Sequence, residues 1–296
     1  FPNELHQFED AMAAHRLRRE IIATVLANRL IDAGGPLMLL RLRERTGAGN
    51  AEICRAFETA AVLIGLPGFQ QEVHRLDNEV RASLQTELMQ IAAEAVADTA
   101  AALIRLEPGA AVEETVERYR GAFASLDETL EGSLEGFESQ QARKRATALT
   151  NAGLDKAFAN RAALMPLRPA GVELYALANG PDISIEEALT TYFKLGEALR
   201  LDRLRHDALS GMEGANYWER LATRRLIEDI RRHQAQATAM ALNEGGLDSW
   251  LREHDSEKRA LVSQLSTLSS ANANFAQFTL AADAVRGFMS DAAKQD

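Results

Sequence analysis

The chain has 296 residues, enough to bury a large core, and carries 43 acidic against 33 basic residues, a formal net charge of -10. This acidic balance disfavours partnership with nucleic acid or an anionic membrane, because both attract basic proteins. The single cysteine, Cys54, excludes an internal disulfide and a multi-cysteine metal site, and it fits a reducing, cytoplasmic compartment.

The first residues, FPNELHQFEDAM, are mixed and acidic, unlike a signal peptide. Because the chain starts at Phe1 rather than Met, we expect a piece of a longer polypeptide; its end at Asp296 is compatible with a natural C-terminus. The most apolar stretch, residues 91–106, is interrupted by Glu94 and Asp98, so no membrane span is predicted.

The distribution of helix breakers predicts an all-α fold. The seven prolines lie beside a glycine, a turn or a plausible helix start, and none follows Pro181. No run alternates apolar and polar residues as a strand does. We therefore predict a multi-helix bundle built from helical hairpins.

Four segments are expected within what is predicted to be one continuous helical domain. They are N-terminal helical hairpins at 1–66, a long-helix arm at 67–150, a second helical-hairpin segment at 151–212 and a long antiparallel C-terminal hairpin at 213–296. The arm is predicted to break near Pro108 and Gly109. Its acids and its Gly121, Gly132 and Gly136 favour an exposed, loosely packed element.

In the first segment, Asn28 shares a predicted helix face with Leu17, Ile21 and Val25. A buried amide has to be hydrogen-bonded, so we expect Asn28 to fix the register of this helix or to cap a neighbour. The alternative is that it faces a partner domain or subunit. A following helix, predicted to begin at Asn50, has an apolar face formed by Ile53, Phe57, Ala60 and Ile64.

An internal similarity relates residues 51–66 to residues 186–201, so that Phe57 corresponds to Tyr192 and Ile64 to Leu199. Each copy follows a shorter predicted helix, at residues 36–45 and 171–178. We interpret the copies as two related helical hairpins in one core.

The second copy also has signals of its own. Ser184 and Glu187 have the spacing of a capping box, which predicts a helix start. The stripe that follows consists of Ile185, Leu189, Tyr192 and Leu199. Because Gly196 interrupts this stripe, another helix is expected to cross closely there.

Two long helices are predicted for the C-terminal hairpin. The first begins with the capping pattern of Asn216 and Glu219 and ends at Gly245 and Gly246. Its inner side is formed by Leu226, Ile230, Ala237 and Ala241. After a short amphipathic piece at 247–254, the last helix is expected from about Ser256 to Ala293. Its inner face is predicted to contain Leu261, Leu265, Leu268 and Phe275, with Asn272 as a second polar residue on an apolar face.

The layout around Asn50 is also that of a DNA-binding helix-turn-helix. Glu52 and Glu58 would repel phosphates, however, and only Arg55 is placed to reach a base. The second copy is similarly acidic, at Glu186 and Glu187. We favour the structural hairpin.

No catalytic, cofactor-binding or metal-ligating residue is assigned from the sequence. Gly47 and Gly49 lack the third glycine and the preceding strand of a dinucleotide fingerprint. The histidines lack metal-ligand spacing; they are His6, His15, His74, His206, His233 and His254. Of these, His233 is expected in the core, and Cys54 is expected to be structural. The acidic run of Asp127, Glu128, Glu131 and Glu135 is interpreted as a solvated face.

One basic concentration stands out in this acidic chain. It consists of Arg16, Arg18 and Arg19 with Arg41, Arg43 and Arg45 on the next helix. It is suited to receive an acidic surface of a neighbouring domain or of a second subunit.

Several strings carry a family resemblance: LRREIIATVLANRL, GGP, RTGA, TYFKLGEALRLDRLR, YWERLATRRLIEDI and FAQFTLAADAVRGF. They resemble the C-terminal helical region of the large, multidomain NAD-dependent glutamate dehydrogenases of bacteria. The similarity is dense to Leu66, sparse over 67–150 and intermittent afterwards.

This resemblance implies a parent enzyme that oxidatively deaminates L-glutamate to 2-oxoglutarate and ammonium while reducing NAD. It implies that the catalytic and NAD-binding residues belong to an upstream core, and none is transferred to this chain. It also implies a non-catalytic region that packs against that core and supports assembly or regulation of a homo-oligomer. The alternatives are a free-standing helical interaction or scaffold module and, less favoured, a ligand-sensing regulator.

Overall fold

A computed structural model describes residues 8–132, 134–178, 183–212, 214–268 and 273–293. Within these ranges the regular structure consists of helices without any strand, as the sequence predicts. The helices follow the apolar stripes and end at the glycine and proline breaks.

The first six helices are α1 (Glu9–Ala13), α2 (Arg18–Gly34), α3 (Met38–Thr46), α4 (Asn50–Ile64), α5 (Leu66–Arg75) and α6 (Ala82–Leu106). The predicted start of α4 at Asn50 is confirmed, and its stripe of Ile53, Phe57, Ala60 and Ile64 is buried. This stripe packs on α6, and the two helices form the centre of the largest apolar cluster.

The expectation of an exposed, loosely packed arm is wrong for α6. Leu88, Ala92 and Val96 are completely buried there, and α6 contributes to the same apolar cluster as α4. Its many alanines allow neighbouring helices to approach closely. Composition alone does not distinguish such a closely packed alanine-rich helix from an exposed one. The predicted break is confirmed, because α6 ends at Leu106 and the next helix begins at Val112.

The middle helices are α7 (Val112–Gly132), α8 (Gly136–Asn151), α9 (Lys156–Leu164), α10 (Ala170–Leu177) and α11 (Ile185–Ala198), with a 3-10 turn at Met165–Leu167. The side chain of Ser184 accepts a hydrogen bond from the backbone N–H of Glu187 at 3.1 Å, as expected at a helix start. A second apolar cluster joins α7, α10 and α11 with Ala235. This cluster contains residues from several of the predicted segments, so it does not separate them from one another. The division of the chain into four segments therefore stays a prediction.

The last helices are α12 (Leu201–Ser210), α13 (Tyr217–Asn243), α14 (Leu247–Glu253), α15 (Asp255–Leu268) and α16 (Phe275–Ala292). The capping box of Asn216 and Glu219 starts α13 as predicted. A third apolar cluster is built around α12, α13 and α16 and encloses Trp250 of α14.

The single final helix is a wrong prediction, because α15 and α16 replace it. Asn274 caps α16 through a reciprocal box with Gln277, so a new helix begins at Phe275. The new start alters which side chains face inward: Phe278 is buried, whereas Phe275, expected on the inner face, is exposed. The Asn272 prediction lies outside the described residues.

The close crossing predicted at Gly196 is confirmed. A Cβ atom at this position would overlap the amide nitrogen of Gln234, which projects from α13. Gln234 is fully buried and donates a hydrogen bond to the carbonyl of Tyr192 at 2.8 Å. Glycine therefore allows α11 and α13 to approach, and this contact places the polar side chains described next.

Candidate functional site: a buried charge network beside a polar cavity

Asp98 is the centre of a charge network inside the helical bundle. From α6 it accepts a hydrogen bond from Arg45 of α3 at 2.7 Å and another from Arg231 of α13 at 2.8 Å. Arg224 lies about two helical turns before Arg231 on the same side of α13 and approaches Asp98 to 3.9 Å. The network therefore ties three helices together at one carboxylate.

Two further acids balance the arginines. Glu228 pairs with Arg45, and Glu94 pairs with Arg224 at 2.8 Å. With Asp98 included, the network contains three acids and three arginines, so it is neutral. Its side chains are mostly buried, and charges taken out of water have to be compensated in this way.

The charges shift the pKa of the central carboxyl. Burial alone would raise the pKa of Asp98, but Arg45 and Arg231 outweigh it and hold that pKa far below its usual range. In return, Asp98 raises the pKa of the Arg231 guanidinium despite its burial. Asp98 is therefore ionised at neutral pH and engaged by its arginine partners, which suits a structural anchor and not a proton-transferring group.

A cavity of about 50 Å³, which we call the polar cavity after the charged residues in its wall, lies beside this network between α8, α11, α12 and α13. The rest of its wall is apolar and is formed by Pro166, Leu167, Ala170, Phe193 and Leu209. Its polar lining consists of Glu138, Arg145, Tyr192, Asp202, Arg205, His206 and Arg231. Arg231 belongs to both features, since its guanidinium pairs with Asp98. The cavity and the network are therefore physically continuous through this side chain.

Within the cavity, Arg205 is the best satisfied cation. It donates to Glu138 at 3.2 Å and also to the side-chain oxygen of Gln234. Because Gln234 is itself held by the carbonyl of Tyr192, this part of the wall is rigidly cross-linked.

Two charged groups in the cavity wall have unsatisfied atoms. One oxygen of Asp202 accepts from the N–H of Arg203 at 2.7 Å, while Oδ2 is buried with no hydrogen-bond partner. Arg145 donates through Nε to the carbonyl of Ala163 at 3.0 Å, but its Nη2 is also buried and unpartnered. Burial raises the pKa of Asp202 to about 6 and lowers that of Arg145. Both residues therefore keep a charged group in the interior with part of its hydrogen-bonding capacity unused by the described residues.

A second feature is an unpartnered apolar surface on α1 and α2, which we call the N-terminal face. It consists of Phe8, Met12, Leu17, Ile21, Ile22 and Val25, each about half exposed. The prediction that Asn28 is buried beside Leu17, Ile21 and Val25 is therefore wrong, since Asn28 is exposed. The stripe exists, but none of the residues that the structure describes covers it.

The basic concentration is only partly on the surface. Arg45 is withdrawn into the Asp98 network, which corrects its expected place in an exposed cluster. The five remaining arginines, Arg16, Arg18, Arg19, Arg41 and Arg43, are exposed on α2, α3 and the turn before α2. Arg16, Arg18 and Arg19 lie in the same segment of the chain as the N-terminal face, and this segment also contains the exposed acids Asp10 and Glu20.

The other candidate residues have structural placements. His233 is buried, as predicted, and burial lowers its pKa. Cys54 is half-buried against the largest cluster, and burial raises the pKa of its thiol. His206 lines the cavity, whereas His6 lies outside the described residues. Among the described residues, no group of three or more His, Cys, Asp or Glu side chains is placed to hold a metal.

Gly47 and Gly49 lie in the turn between α3 and α4, and no strand precedes them in the described part of the chain. As for membrane spans, the described helices include none that is individually long and apolar enough, although α2 and α3 together, bent by 91°, reach the required length and composition.

Comparison with known proteins identifies the family. The family described as glutamate dehydrogenase, C-terminal, matches residues 1–287. The chain belongs to this family. It is also similar to individual glutamate dehydrogenases over most of its length.

Three curated relatives are NAD-specific glutamate dehydrogenases. The protein of Halomonas elongata is 28% identical over 264 residues, covering 86% of this chain and 16% of that protein. The protein of Pseudomonas aeruginosa is 27% identical over 267 residues, with 84% and 16% covered, and that of Mycobacterium tuberculosis is 24% identical over 233 residues, with 78% and 14% covered. The chain therefore spans about one sixth of the length of these relatives.

Proposed function

We propose that this chain is a non-catalytic helical region of a large NAD-dependent glutamate dehydrogenase and that it packs against the remainder of the same polypeptide. In that parent enzyme, L-glutamate is converted to 2-oxoglutarate and ammonium with reduction of NAD. The chain's own contribution is assembly or regulation of a cytoplasmic homo-oligomer. Family membership supports the parent reaction, and the small share of each relative that the chain matches leaves ample protein for the chemistry.

The observation that carries the packing role is the N-terminal face. Leu17, Ile21 and Val25 recur at helical spacing on one side of α2, and this side is half exposed over about two turns. Contiguous apolar patches of this kind mark interaction surfaces in folded proteins. Exposed arginines and exposed acids both lie beside these residues in the chain, so the face fits a partner surface that is apolar at its centre and carries charges of both signs at its rim. We assign this occupant to the preceding part of the same polypeptide.

The test is the double substitution Ile21→Asp and Val25→Asp in the complete polypeptide. Two carboxylates on the N-terminal face should prevent docking, so we expect faster release of the region by limited proteolysis and lower glutamate-dependent NADH formation. The matched control is Leu280→Asp on α16, because Leu280 is 55% exposed and Ile21 is 52% exposed. The control should behave as the wild type.

Three results would each contradict one part of the proposal: the docking surface, its occupant or the non-catalytic role. If the double variant matches the wild type in proteolysis and activity, the N-terminal face is not the docking surface. If light scattering shows that the isolated chain dimerises and that the double variant dissociates the dimer, a second copy covers the face instead. Glutamate-dependent NADH formation by the isolated chain would contradict the non-catalytic role.

A further inference from the structure

Trp218 is the most exposed large apolar side chain among the described residues, with 67% of its surface accessible. It lies in the first turn of α13. Tryptophan, tyrosine and arginine are the residues most enriched among those that carry the binding energy of interfaces. An exposed tryptophan at the start of a long helix is therefore a candidate anchor for a partner surface.

The support beneath Trp218 is rigid before any partner binds. The side chain of Asn216 caps the start of α13. The rings of Tyr217 and Trp218 meet edge to face, with their centroids 5.2 Å apart. The hydroxyl of Tyr217 donates a hydrogen bond to the side chain of Glu44 on α3, and Arg225 donates to the backbone carbonyl of Glu44. An anchor on such a support loses little conformational entropy when it binds.

The corner formed by α3 and residues 217–225 of α13, which we call the aromatic corner, is basic in a chain whose net charge is -10. Its exposed charged side chains are Arg41, Arg43, Arg220 and Arg225. The described residues show no ion pair for these four arginines. The two acids of the corner, Glu44 and Glu219, are half-buried, and each accepts a hydrogen bond within it. Its remaining arginines, Arg45 and Arg224, belong to the neutral Asp98 network. The corner therefore favours an acidic partner surface.

The aromatic corner continues the N-terminal face. Ile31 and Leu37 lie between the two surfaces along the chain, and each is about half exposed. Arg41 reaches both elements. Its guanidinium donates to the carbonyl of Gly34, the last residue of α2, at 3.4 Å, and its charge opposes the rise in the pKa of Tyr217 that the hydrogen bond of this hydroxyl causes. A partner that covers the N-terminal face can therefore extend onto the aromatic corner.

We propose that Trp218 anchors a second part of the docking surface, and that its occupant is an acidic segment of the same polypeptide outside these 296 residues. The segment supplies an apolar recess for the indole ring and carboxylates for Arg41 and Arg225. This assignment rests on the proposed function, in which the chain packs against the remainder of its parent enzyme. The chain matches only 16% of each of two relatives, so most of such a polypeptide lies outside it. Covalent linkage raises the effective concentration of the segment at the corner.

Hydroxyl-radical labelling read out residue by residue in a mass spectrometer tests the burial of Trp218. The complete polypeptide is compared with the isolated 296-residue chain. Trp218 should react rapidly in the isolated chain and lose most of its labelling in the complete polypeptide, where it should react as slowly as the fully buried Trp250. The control is Leu280 on α16, which is exposed and should react equally in both.

The same measurement keeps this inference separate from the proposed function, because Ile21 reports on the N-terminal face. Protection of Ile21 without protection of Trp218 would overturn the inference and leave docking through the N-terminal face intact. Protection of Trp218 alone would support the inference and contradict docking through that face. Protection of neither residue would contradict both. Loss of Trp218 labelling in the isolated chain as its concentration rises would show that a second copy covers the corner, which also overturns the inference.

Two variants of the complete polypeptide test the anchor and the charge of its occupant. Trp218→Ala should speed release of the region by limited proteolysis about tenfold, as expected for the loss of an interface anchor. Arg41→Glu should also speed release, because it places a repelling charge opposite the acidic segment. The control is Arg143→Glu, which reverses an exposed arginine on α8 and should be released as slowly as the wild type.

Thermal unfolding of the isolated chain separates docking from folding. Because the side chain of Trp218 is exposed, Trp218→Ala should unfold at the same temperature as the wild type. Release of Trp218→Ala at the wild-type rate would overturn the anchor role. Release of Arg41→Glu at the rate of Arg143→Glu would overturn the acidic occupant.

Discussion

Arg231 and Asp98 form the ion pair that connects the charge network to the polar cavity. Nη1 of Arg231 lies 2.8 Å from Oδ2 of Asp98, and both side chains are largely buried. Asp98 has a second short contact, with Arg45 at 2.7 Å. One carboxylate therefore compensates two buried guanidinium groups from helices that are far apart in sequence.

Asp98→Asn should strongly destabilise the chain. The substitution keeps the size of the side chain but leaves Arg45 and Arg231 with too little negative charge. Removing one member of a buried pair typically costs about 3–5 kcal/mol in the free energy of unfolding. Urea unfolding measures this loss. The control is Asp283→Asn, which breaks the exposed 2.8 Å pair with Arg286 on α16 and should cost at most about 0.5 kcal/mol. Similar losses for both variants would show that the network contributes little.

Asp202 should make the chain more stable in mild acid. Burial raises its pKa from 3.8 to about 6, so the folded chain holds a proton that the unfolded chain releases. Since the folded state binds more protons between about pH 4 and about pH 6, this group's contribution to stability is greatest at low pH and is lost as pH rises through 6. The contribution of Asp98 to stability depends on pH in the opposite direction. Because the pKa of Asp98 is lowered in the folded chain, its contribution is present above about pH 4 and is lost only in stronger acid.

The check for Asp202 is Asp202→Asn. The amide oxygen can still accept from the N–H of Arg203, while the buried charge is gone. A shift of about two pKa units corresponds to about 3 kcal/mol, so the variant should gain up to that amount at pH 7.5 and little at pH 4. Unfolding curves at the two pH values measure the difference. A variant that loses stability at pH 7.5 would mean that the ionised carboxylate is favourable in the fold.

Much of the fold was predictable because its signals are local. The stripe of Ile53 and Phe57 has the period of a helix, and the cap at Asn216 lies within one turn of its partner. The similarity between the two hairpins extends to backbone geometry. Gly65 and Arg200 occupy corresponding positions, and both have left-handed φ angles, 71° and 58°. The glycine predicts this left-handed turn in the first copy, whereas the arginine gives no indication of it in the second.

The site was not predictable, because its signals are not local. From its local sequence, Arg45 is expected on the surface. Its partners Asp98 and Glu228 lie on other helices, so the residues around Arg45 in the chain do not predict these contacts. In the sequence, the charge of Asp98 among alanines indicates only an interruption of an apolar run. The spacing of Ile21 and Val25 shows that they share a face, but periodicity cannot say whether a face is covered within the chain or by another domain.

Gly196→Ala tests the contact that holds α11 against α13. The added methyl group would overlap the amide nitrogen of Gln234 and lie 3.0 Å from its Cδ. Gln234 has no free direction in which to move, because it is fully buried and hydrogen-bonded to Tyr192 and Arg205. We expect a loss of about 1–3 kcal/mol, as for other overpacked interiors. The control is Gly121→Ala in α7, where nothing lies within 4 Å and alanine should add up to about 1 kcal/mol. If thermal unfolding shows that Gly196→Ala is also stabilised, α13 can retreat from α11, and the wall of the cavity is less rigid than its hydrogen bonds indicate.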